Sequence, residues 1–533
     1  MDGIGSPSRP PVGVPPSEAS ESVVGSTAPL RQHGARLNSA KNDSGTDIAD
    51  GLGGEGPGFM VAMAYIDPGN LASDLNQGSQ AGYQLAWVTL WCTVLGFVIQ
   101  MLSARLGVST GRHLAQHCRE EYPPGVRYAL WVIVECGVIA CDMIEVIGGA
   151  IALTTLSSGA IPLWAGVIVT AATAFLCLLL ERLGMRSLEA LLFVLIMVMG
   201  GTFLYMFFTT GVDYGEVFKG LVIPRLNSRT ITFAVGAVGA IIMPHNLYLH
   251  SSVVLSRMER VSALSVPRAM LFVRLETGVA LFLSVIINVA IIAVFAAAFY
   301  GTYAAGTIGL GNAGDYLGQL FGDGIRIIWS VGLLAAANAS TVTSTYAGQI
   351  IMDGYMNWQI SVWTRTMCVR LVTLGPTLLI AVFFRGTDAP FDALTNWLNI
   401  VQSLVLPFVL IPLLAFTASE RVMGEHANRP WFTWVMGAIA VFLVGLNAYL
   451  AVDVSLEQLP RTAWVQALFW MGFAVYVCFV AFIALGMDRA RRLHRWAKNC
   501  WTGGRERTNF VLAPSPAEDG DVVTHNPVYG ATV

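Results

Sequence analysis

The chain is organised as long apolar stretches separated by short polar connections. Because about 20 apolar residues span the hydrocarbon core of a bilayer, twelve stretches are predicted to be membrane-crossing helices. The predicted spans lie at about 58–77, 84–107, 126–155, 160–181, 188–211, 229–256, 270–299, 325–351, 364–384, 391–417, 431–453 and 464–487. The connections after the even-numbered spans carry more than twice as many lysines and arginines as the opposite connections. Since cytoplasmic loops retain this positive excess, both termini are predicted to be cytosolic.

The overall composition agrees with a membrane protein. Of the 533 residues, 55% are hydrophobic and only 12% are charged, whereas soluble domains have about 25% charged residues. The net charge of -3 gives no reason to expect a nucleic-acid partner. Residues 1–57 are rich in Gly, Ser and Pro and lack the order of a signal peptide, so they are predicted to be a disordered cytosolic tail. Residues 488–533 are predicted to be a second cytosolic tail, basic and then disordered.

Two of the predicted spans are interrupted by proline next to polar residues. The first contains Asp67-Pro68-Gly69-Asn70, and the sixth contains Met243-Pro244-His245-Asn246. Proline removes a backbone donor and disrupts the preceding helical turn. Unwound backbone at this depth is tolerated only where protein buries it or it lines a polar cavity. Interrupted helices at corresponding places in two halves are typical of transporters built from inverted repeats, with the binding site at the membrane midplane.

The side chains at the two breaks indicate a metal site. Asp67 offers a carboxylate, Asn70 an amide oxygen, Met243 a thioether, and the unwound turn near Ala240 a backbone carbonyl. Oxygen ligands alone suit magnesium, calcium or sodium, whereas an added soft sulfur favours transition metals. A buried carboxylate also needs a cation or a proton to neutralise it, so Asp67 is a candidate for both metal binding and proton exchange.

Further ionisable residues lie inside the predicted spans. Glu135, Asp142 and Glu145 follow one another along the third span, with Glu135 and Asp142 two turns apart on one face. Such a row of acids indicates a proton or ion path, and Arg370 of the ninth span is a candidate countercharge. A purely structural ion-pair network is the alternative.

Two histidines follow the break in the sixth span. His245 and His250 can change charge near neutral pH, which makes them candidates for the proton path. An equally good interpretation is that both are helix-packing residues.

Several segments together resemble the Nramp family of proton-coupled divalent metal transporters. The matching segments are AYIDPGN (64–70), DMIEVIGGAI (142–151), MPHNLYLHS (243–251), STVTSTYAGQIIMDGYMN (340–357) and LNIVQSLVLPFVLIPLLAFT (398–417). The resemblance covers about residues 55–490. It implies an all-α membrane protein with the LeuT-type fold of two inverted five-helix repeats, at 58–211 and 229–417, followed by two further spans within 431–487.

The resemblance also implies a function for individual residues. Asp67, Asn70, the carbonyl of Ala240, the sulfur of Met243 and, on occlusion, Gln402 would bind Mn²⁺ or Fe²⁺. The family's proton route would include Glu135, Asp142, Glu145, His245 and His250, with Arg370 as the countercharge. The implied activity is symport of metal and protons into the cytosol by alternating access, without enzymatic chemistry or a prosthetic group. Relatives that carry magnesium or aluminium replace the methionine, so Met243 favours manganese and iron.

The sequence departs from the family pattern at two places. The fourth segment commonly begins Gly-Gln-Ser-Ser-Thr, where this chain has Ala337-Asn338-Ala339-Ser340-Thr341, and bacterial members often have paired arginines where Val369-Arg370 stands. Neither departure affects a proposed metal ligand. Both departures affect positions that the resemblance links to gating of the transport path and to proton coupling.

The location and partners follow from the same features. The protein is expected in the plasma membrane or in an endosomal, lysosomal or vacuolar membrane, in contact with lipid, divalent metal ions and protons. Asn526, Pro527 and Tyr529 resemble an NPxY sorting signal for endocytic adaptors, which is a weak motif in a tail of this kind.

Three alternatives remain open at this point. A cation-coupled amino-acid carrier of the same fold would use the broken helices to hold a carboxylate and an amine. A metal sensor would bind without transport. A membrane metalloenzyme would need a histidine-rich ligand set, and only His245 and His250 of the eight histidines lie in a span.

Overall fold

The structure is a computed structural model that describes residues 65–182, 186–260, 266–302, 306–358, 360–383, 389–457 and 460–485. The two predicted tails, residues 58–64 of the first predicted span, and the Asn526-Pro527-Tyr529 motif lie outside the described residues.

The described part of the chain is helical and contains no β-strand. Its α-helices are α1 (Pro68–Ala81), α2 (Ala86–Thr110), α3 (Leu114–Glu121), α4 (Pro124–Leu156), α5 (Leu163–Arg182), α6 (Arg186–Thr209), α7 (Tyr214–Val222), α8 (Ile231–Ile241), α9 (Pro244–Arg260), α10 (Val266–Phe299), α11 (Leu310–Phe321), α12 (Asp323–Met356), α13 (Val362–Phe383), α14 (Ala389–Ala418), α15 (Glu420–Met423), α16 (Pro430–Glu457) and α17 (Ala463–Ala484).

Each of the twelve predicted spans overlaps a helix or a helix pair. Within the described ranges, nine segments are long and apolar enough to cross a membrane, with α8 and α9 counted as one segment from Ile231 to Ser256. α1 has only 14 residues and is too short to span a bilayer by itself. Two short helices, α7 and α11, lie in connections for which the apolar pattern predicts no helix.

The prolines at the two predicted breaks both begin helices. Pro68 is the first residue of α1, directly after Asp67, whose extended backbone (φ -104°, ψ 167°) is not helical. Pro244 is the first residue of α9, and the chain leaves helical geometry at Ile242, between α8 and α9. Proline suits the first helical position because its missing N–H has no partner there anyway.

The helices that carry the candidate residues pack against one another. α4 packs most extensively against α12, while α14 packs against α1, α4 and α8. The approach of α8 to α14 is close because Gly239 has no side chain, and a β-carbon placed there would lie 1.9 Å from the carbonyl oxygen of Asn399. The polar segments at both breaks therefore lie inside the bundle, beside the middle of α14.

Candidate functional site

The non-helical segment before α1 is stabilised by hydrogen bonds of its own side chains. Asp67 accepts hydrogen bonds from the backbone N–H groups of Gly69 and Asn70, both at 3.0 Å, and so caps α1. The amide nitrogen of Asn70 donates to Asp67 Oδ1 at 2.7 Å and to the Tyr65 carbonyl at 3.2 Å. Asn70 Oδ1 is thereby left buried without a hydrogen-bond partner. Buried polar atoms are rarely unpaired, and an unpaired acceptor oxygen is available to a cation.

The break between α8 and α9 supplies a sulfur atom. Met243 is 2% exposed, and the amide nitrogen of Asn246 lies 3.2 Å from its Sδ. This contact orients the thioether without a metal ion. Ala240 is fully buried one residue after the Gly239 contact with α14.

Asn399 of α14 connects the two breaks. Its side-chain nitrogen donates to the carbonyl of Gly69 at 3.1 Å, and its backbone oxygen faces Gly239 of α8. Gln402, three residues later on the same face of α14, is fully buried, and both its side-chain oxygen and nitrogen lack hydrogen-bond partners. The structure therefore places the five predicted ligands within or next to the ends of α1, α8 and α14, which pack against one another. We call this set the ligand cluster (Asp67, Asn70, Ala240, Met243 and Gln402).

The charge of Asp67 is not balanced by a basic side chain. In the part of the chain that the structure describes, no ion pair includes Asp67. The N-terminus of α1 and two backbone N–H groups face its carboxylate, and these stabilise negative charge only in part. The described residues also contain no group of three or more His, Cys, Asp or Glu side chains that could hold a metal ion. The ligand cluster instead combines one carboxylate, two amides, a carbonyl and a thioether, a set that suits a borderline divalent ion.

A second polar region lies between α4, α12 and α13. Arg370 Nη1 lies 2.8 Å from Asp142 Oδ1, and both side chains are at most 5% exposed. Glu135 pairs instead with Arg365. The two arginines, Asp142 and Ser344 line one small cavity. Arg370 is thus placed beside one acid of the predicted row, and Arg365 beside another.

Glu145 has hydroxyl partners instead of a basic one. It accepts hydrogen bonds from Ser340 at 2.7 Å, from Ser344 at 3.0 Å and from the Cys141 thiol at 3.3 Å. Ser340 and Ser344 are one turn apart on α12, so both hydroxyls reach the same carboxylate. We call Glu135, Asp142, Glu145, Arg365 and Arg370 the acid–arginine network.

The two histidines lie on α9 after the break. His245 and His250 are each 1% exposed, and neither ring nitrogen of His250 has a hydrogen-bond partner. Within the described ranges, neither a hydrogen bond nor an ion pair joins either histidine to the acid–arginine network.

Three participants in these regions were not predicted from the sequence. Asn399, Arg365 and Ser344 have ordinary sequence surroundings, and their contacts depend on how helices pack. For Arg365 the sequence contains one signal, the glycine at position 348 within α12. A β-carbon at this position would lie 1.9 Å from a nitrogen of Arg365. A glycine at this place in a helix is typical of a close approach by another group.

Comparison with known proteins identifies the family. A family profile described as "Natural resistance-associated macrophage protein-like", or Nramp, matches residues 58–453. The chain belongs to the Nramp family. It is 45% identical to Metal transporter Nramp2 of Populus trichocarpa over 432 residues, or 80% of each chain. It is 46% identical to Metal transporter Nramp4 of Arabidopsis thaliana over 402 residues, which cover 75% of this chain and 78% of the relative.

The fold is similar to that of solved membrane transporters. A crystal structure of a variant of the Eremococcus coleocola manganese transporter superposes with a TM-score of 0.72 at 27% identity, covering 84% of this chain and 96% of that one. Mhp1, a nucleobase-cation-symport-1 family transporter, superposes with a TM-score of 0.50 at 16% identity over 81% of this chain and 93% of its own, a likeness of fold alone. The predictions of an Nramp protein and of an all-α, LeuT-type membrane fold are confirmed. The protein is a multi-pass membrane transporter of metal ions.

Proposed function

We propose that the protein is a symporter that carries Mn²⁺ or Fe²⁺ into the cytosol together with protons. One observation supports the substrate above all others: the ligand cluster combines the buried Asp67 carboxylate with two buried amide oxygen atoms that have no hydrogen-bond partner and with one buried thioether. The oxygen atoms suit any divalent cation, and the sulfur of Met243 disfavours calcium and magnesium. The manganese transporter of similar structure agrees with this substrate class.

The ligand cluster has a direct chemical role in this proposal. The metal ion enters from the extracellular or luminal side and replaces water with Asp67, Asn70, the Ala240 carbonyl and Met243. Gln402, which has no partner for either polar atom, completes the coordination when the site closes. Desolvation of the carboxylate is then offset by the metal charge.

We propose further that protons move through the acid–arginine network and the two histidines. Asp142 lines the same cavity as both arginines. Glu145, three residues later on α4, accepts a hydrogen bond from Ser344, which also lines this cavity. Asp67 exchanges a proton when the metal arrives, and Asp142 and Glu145 pass it toward the cytosol. His245 and His250 belong to the route because they are buried without a full set of partners. Relative rocking of the repeats 58–211 and 229–417 exposes the site to either side.

The experiment that tests this function uses purified full-length protein in liposomes. Uptake of radioactive manganese is measured at neutral internal pH while the external pH is lowered stepwise. We expect uptake to rise as the external pH falls, external medium to become more alkaline during uptake, and iron(II) to compete. Asp323→Asn is the control for variants of Asp67 in this assay, because Asp323 is an exposed acid at the start of α12.

Two results would contradict the proposal. Uptake that does not change with external pH would contradict the proposed proton coupling, even if metal transport remained. Uptake that amino acids suppress and iron(II) does not would favour a carrier of amino acids with the same fold.

A further inference from the structure

A groove at one end of the helix bundle lies outside the regions described above. It is formed where α2 ends, where α10 begins and where the loop 424–429 leads into α16. The distribution of lysines and arginines predicts that this end faces the cytosol. The groove has no residue in common with the ligand cluster or the acid–arginine network.

The groove contains more positive than negative charge. Its lining includes Arg105, Arg274 and Arg429, with Glu425 as the carboxylate and His426 as a further titratable group. Within the described ranges, none of the three arginines forms an ion pair with a carboxylate. Like charges that line one groove repel each other, and a bound anion would relieve this repulsion.

One of these arginines is fixed and still has an unused donor. The Arg105 guanidinium donates to Asn428 Oδ1. Asn428 in turn donates to the hydroxyl and the carbonyl of Thr417, at 2.9 and 2.8 Å. Arg105 Nε is buried without a hydrogen-bond partner. A guanidinium held in place with a free N–H is suited to bind phosphate oxygens.

The remaining lining of the groove is apolar and continues to the outer surface of the bundle. Phe97 and Met270 lie inside the groove. Leu271 and Leu275 on α10 and Trp431 at the start of α16 are 53%, 58% and 62% exposed. Exposed leucines of a membrane protein face lipid chains, and tryptophan is enriched at the level of the lipid headgroups. The groove therefore combines a cationic interior with an apolar exit toward lipid.

We propose that this groove binds an anionic phospholipid. The headgroup phosphate lies between Arg105, Arg274 and Arg429, and the acyl chains run along Leu271 and Leu275. Basic pockets between transmembrane helices on the cytoplasmic side bind anionic headgroups, and the cytoplasmic leaflet is rich in such lipids. A soluble phosphate would use the arginines but would leave the apolar exit of the groove unoccupied.

The test measures lipid binding directly and therefore does not depend on the proposed transport activity. Delipidated full-length protein in neutral detergent is titrated with palmitoyl-oleoyl phosphatidylglycerol or with palmitoyl-oleoyl phosphatidylcholine, and bound lipid is counted by native mass spectrometry. We expect phosphatidylglycerol to bind at least roughly tenfold more tightly than phosphatidylcholine, which corresponds to one order of magnitude in Kd. The double variant Arg274→Gln/Arg429→Gln is expected to remove this preference. It keeps Arg105, which supports the loop.

The control is Arg268→Gln, an exposed arginine on the same helix that does not line the groove. We expect this variant to bind phosphatidylglycerol as the unchanged protein does, and gel filtration checks that all variants remain monodisperse. Equal binding of the two lipids by the unchanged protein would overturn the proposal. Full retention of the preference in the double variant would do the same. Displacement of phosphatidylglycerol by an equal concentration of glycerol 3-phosphate would show that the groove takes a soluble anion instead.

Discussion

The ligand cluster and the acid–arginine network are both buried polar regions, but they differ in how the charges of their carboxylates are balanced. In the ligand cluster, Asn70 and Gln402 keep atoms without hydrogen-bond partners, and Asp67 has no basic partner. In the network, Asp142 lies beside Arg370 and Glu135 beside Arg365. A buried polar group without a partner destabilises the fold unless something else binds it. Both regions keep buried polar atoms without hydrogen-bond partners, among them Asp142 Oδ2 and Glu135 Oε2 in the network. The difference therefore lies in charge: the network supplies countercharges for Asp142 and Glu135, whereas the Asp67 carboxylate needs a cation or a proton from outside the protein.

The largest expected effect tests the claim that the network supplies its own countercharges. Arg370→Gln leaves the Asp142 carboxylate buried without its countercharge, which we expect to cost about 3–5 kcal/mol of stability. Thermal unfolding of the purified protein, followed by a thiol-reactive dye, measures the change. The double variant Asp142→Asn/Arg370→Gln removes both charges and should recover most of the loss.

The control for this experiment is Arg112→Gln, since Arg112 forms an exposed ion pair with Glu120. Surface pairs contribute little, so its unfolding temperature should hardly move. A single Arg370→Gln variant as stable as the unchanged protein would contradict the comparison between the two regions.

The next largest effect concerns the ligand cluster. Asp67→Asn keeps an oxygen that can cap α1 but removes the charge, so the fold should be retained while manganese affinity drops about a hundredfold, or ~2.7 kcal/mol. Isothermal titration of manganese into the purified protein measures the affinity. Asp323→Asn, an exposed acid 83% accessible to solvent, serves as the control. Unchanged manganese binding by the Asp67 variant would exclude this carboxylate as a ligand.

A smaller loss of stability is expected when Glu145 loses one of its hydrogen-bond donors. Ser344→Ala removes one hydroxyl donor to this carboxylate, and we expect a loss of about 1.5–2 kcal/mol because hydrogen bonds to charged groups are worth more than neutral ones. Ser330→Ala is the matched control, since Ser330 is buried on the same helix but donates only to the Arg326 carbonyl one turn earlier. If both alanine variants unfold at the same temperature, Glu145 does not depend on this donor.

The smallest effect distinguishes a metal ligand from a packing residue. Met243→Leu keeps volume and hydrophobicity but removes the sulfur. We expect the preference for manganese over calcium to fall about tenfold, or ~1.4 kcal/mol, with little change in stability. Competition of calcium against radioactive manganese uptake measures this preference. Met436→Leu alters a buried methionine of α16 instead and should leave the preference as it was.

The sequence predicted the helices and the two breaks because the signals for both are local. Apolar length indicates a span, and Pro68 and Pro244 beside polar residues indicate where a span is interrupted. The same reasoning could not assign partners across helices. No sequence pattern assigns a partner to Arg365, yet it pairs with Glu135, 230 residues earlier. Asn399 joins the breaks through one side-chain contact and one backbone contact, and neither leaves a periodic pattern in the sequence. The local signs of such contacts are two glycines within helices, Gly348 at the approach of Arg365 and Gly239 at the approach of Asn399.

The backbone contact at Gly239 has a mechanical consequence. Ordinary helix pairs are separated by side chains, which can change rotamer and absorb a small displacement. At Gly239 and Asn399 no side chain lies between the two backbones, and Asn399 also holds the first turn of α1. A displacement of α8 therefore acts directly on the backbone of α14 and, through the Asn399 side chain, on the first turn of α1. The relative positions of these three segments, which carry three of the five residues of the ligand cluster and of which α1 directly follows a fourth, are therefore fixed by backbone contacts and not by side-chain packing alone.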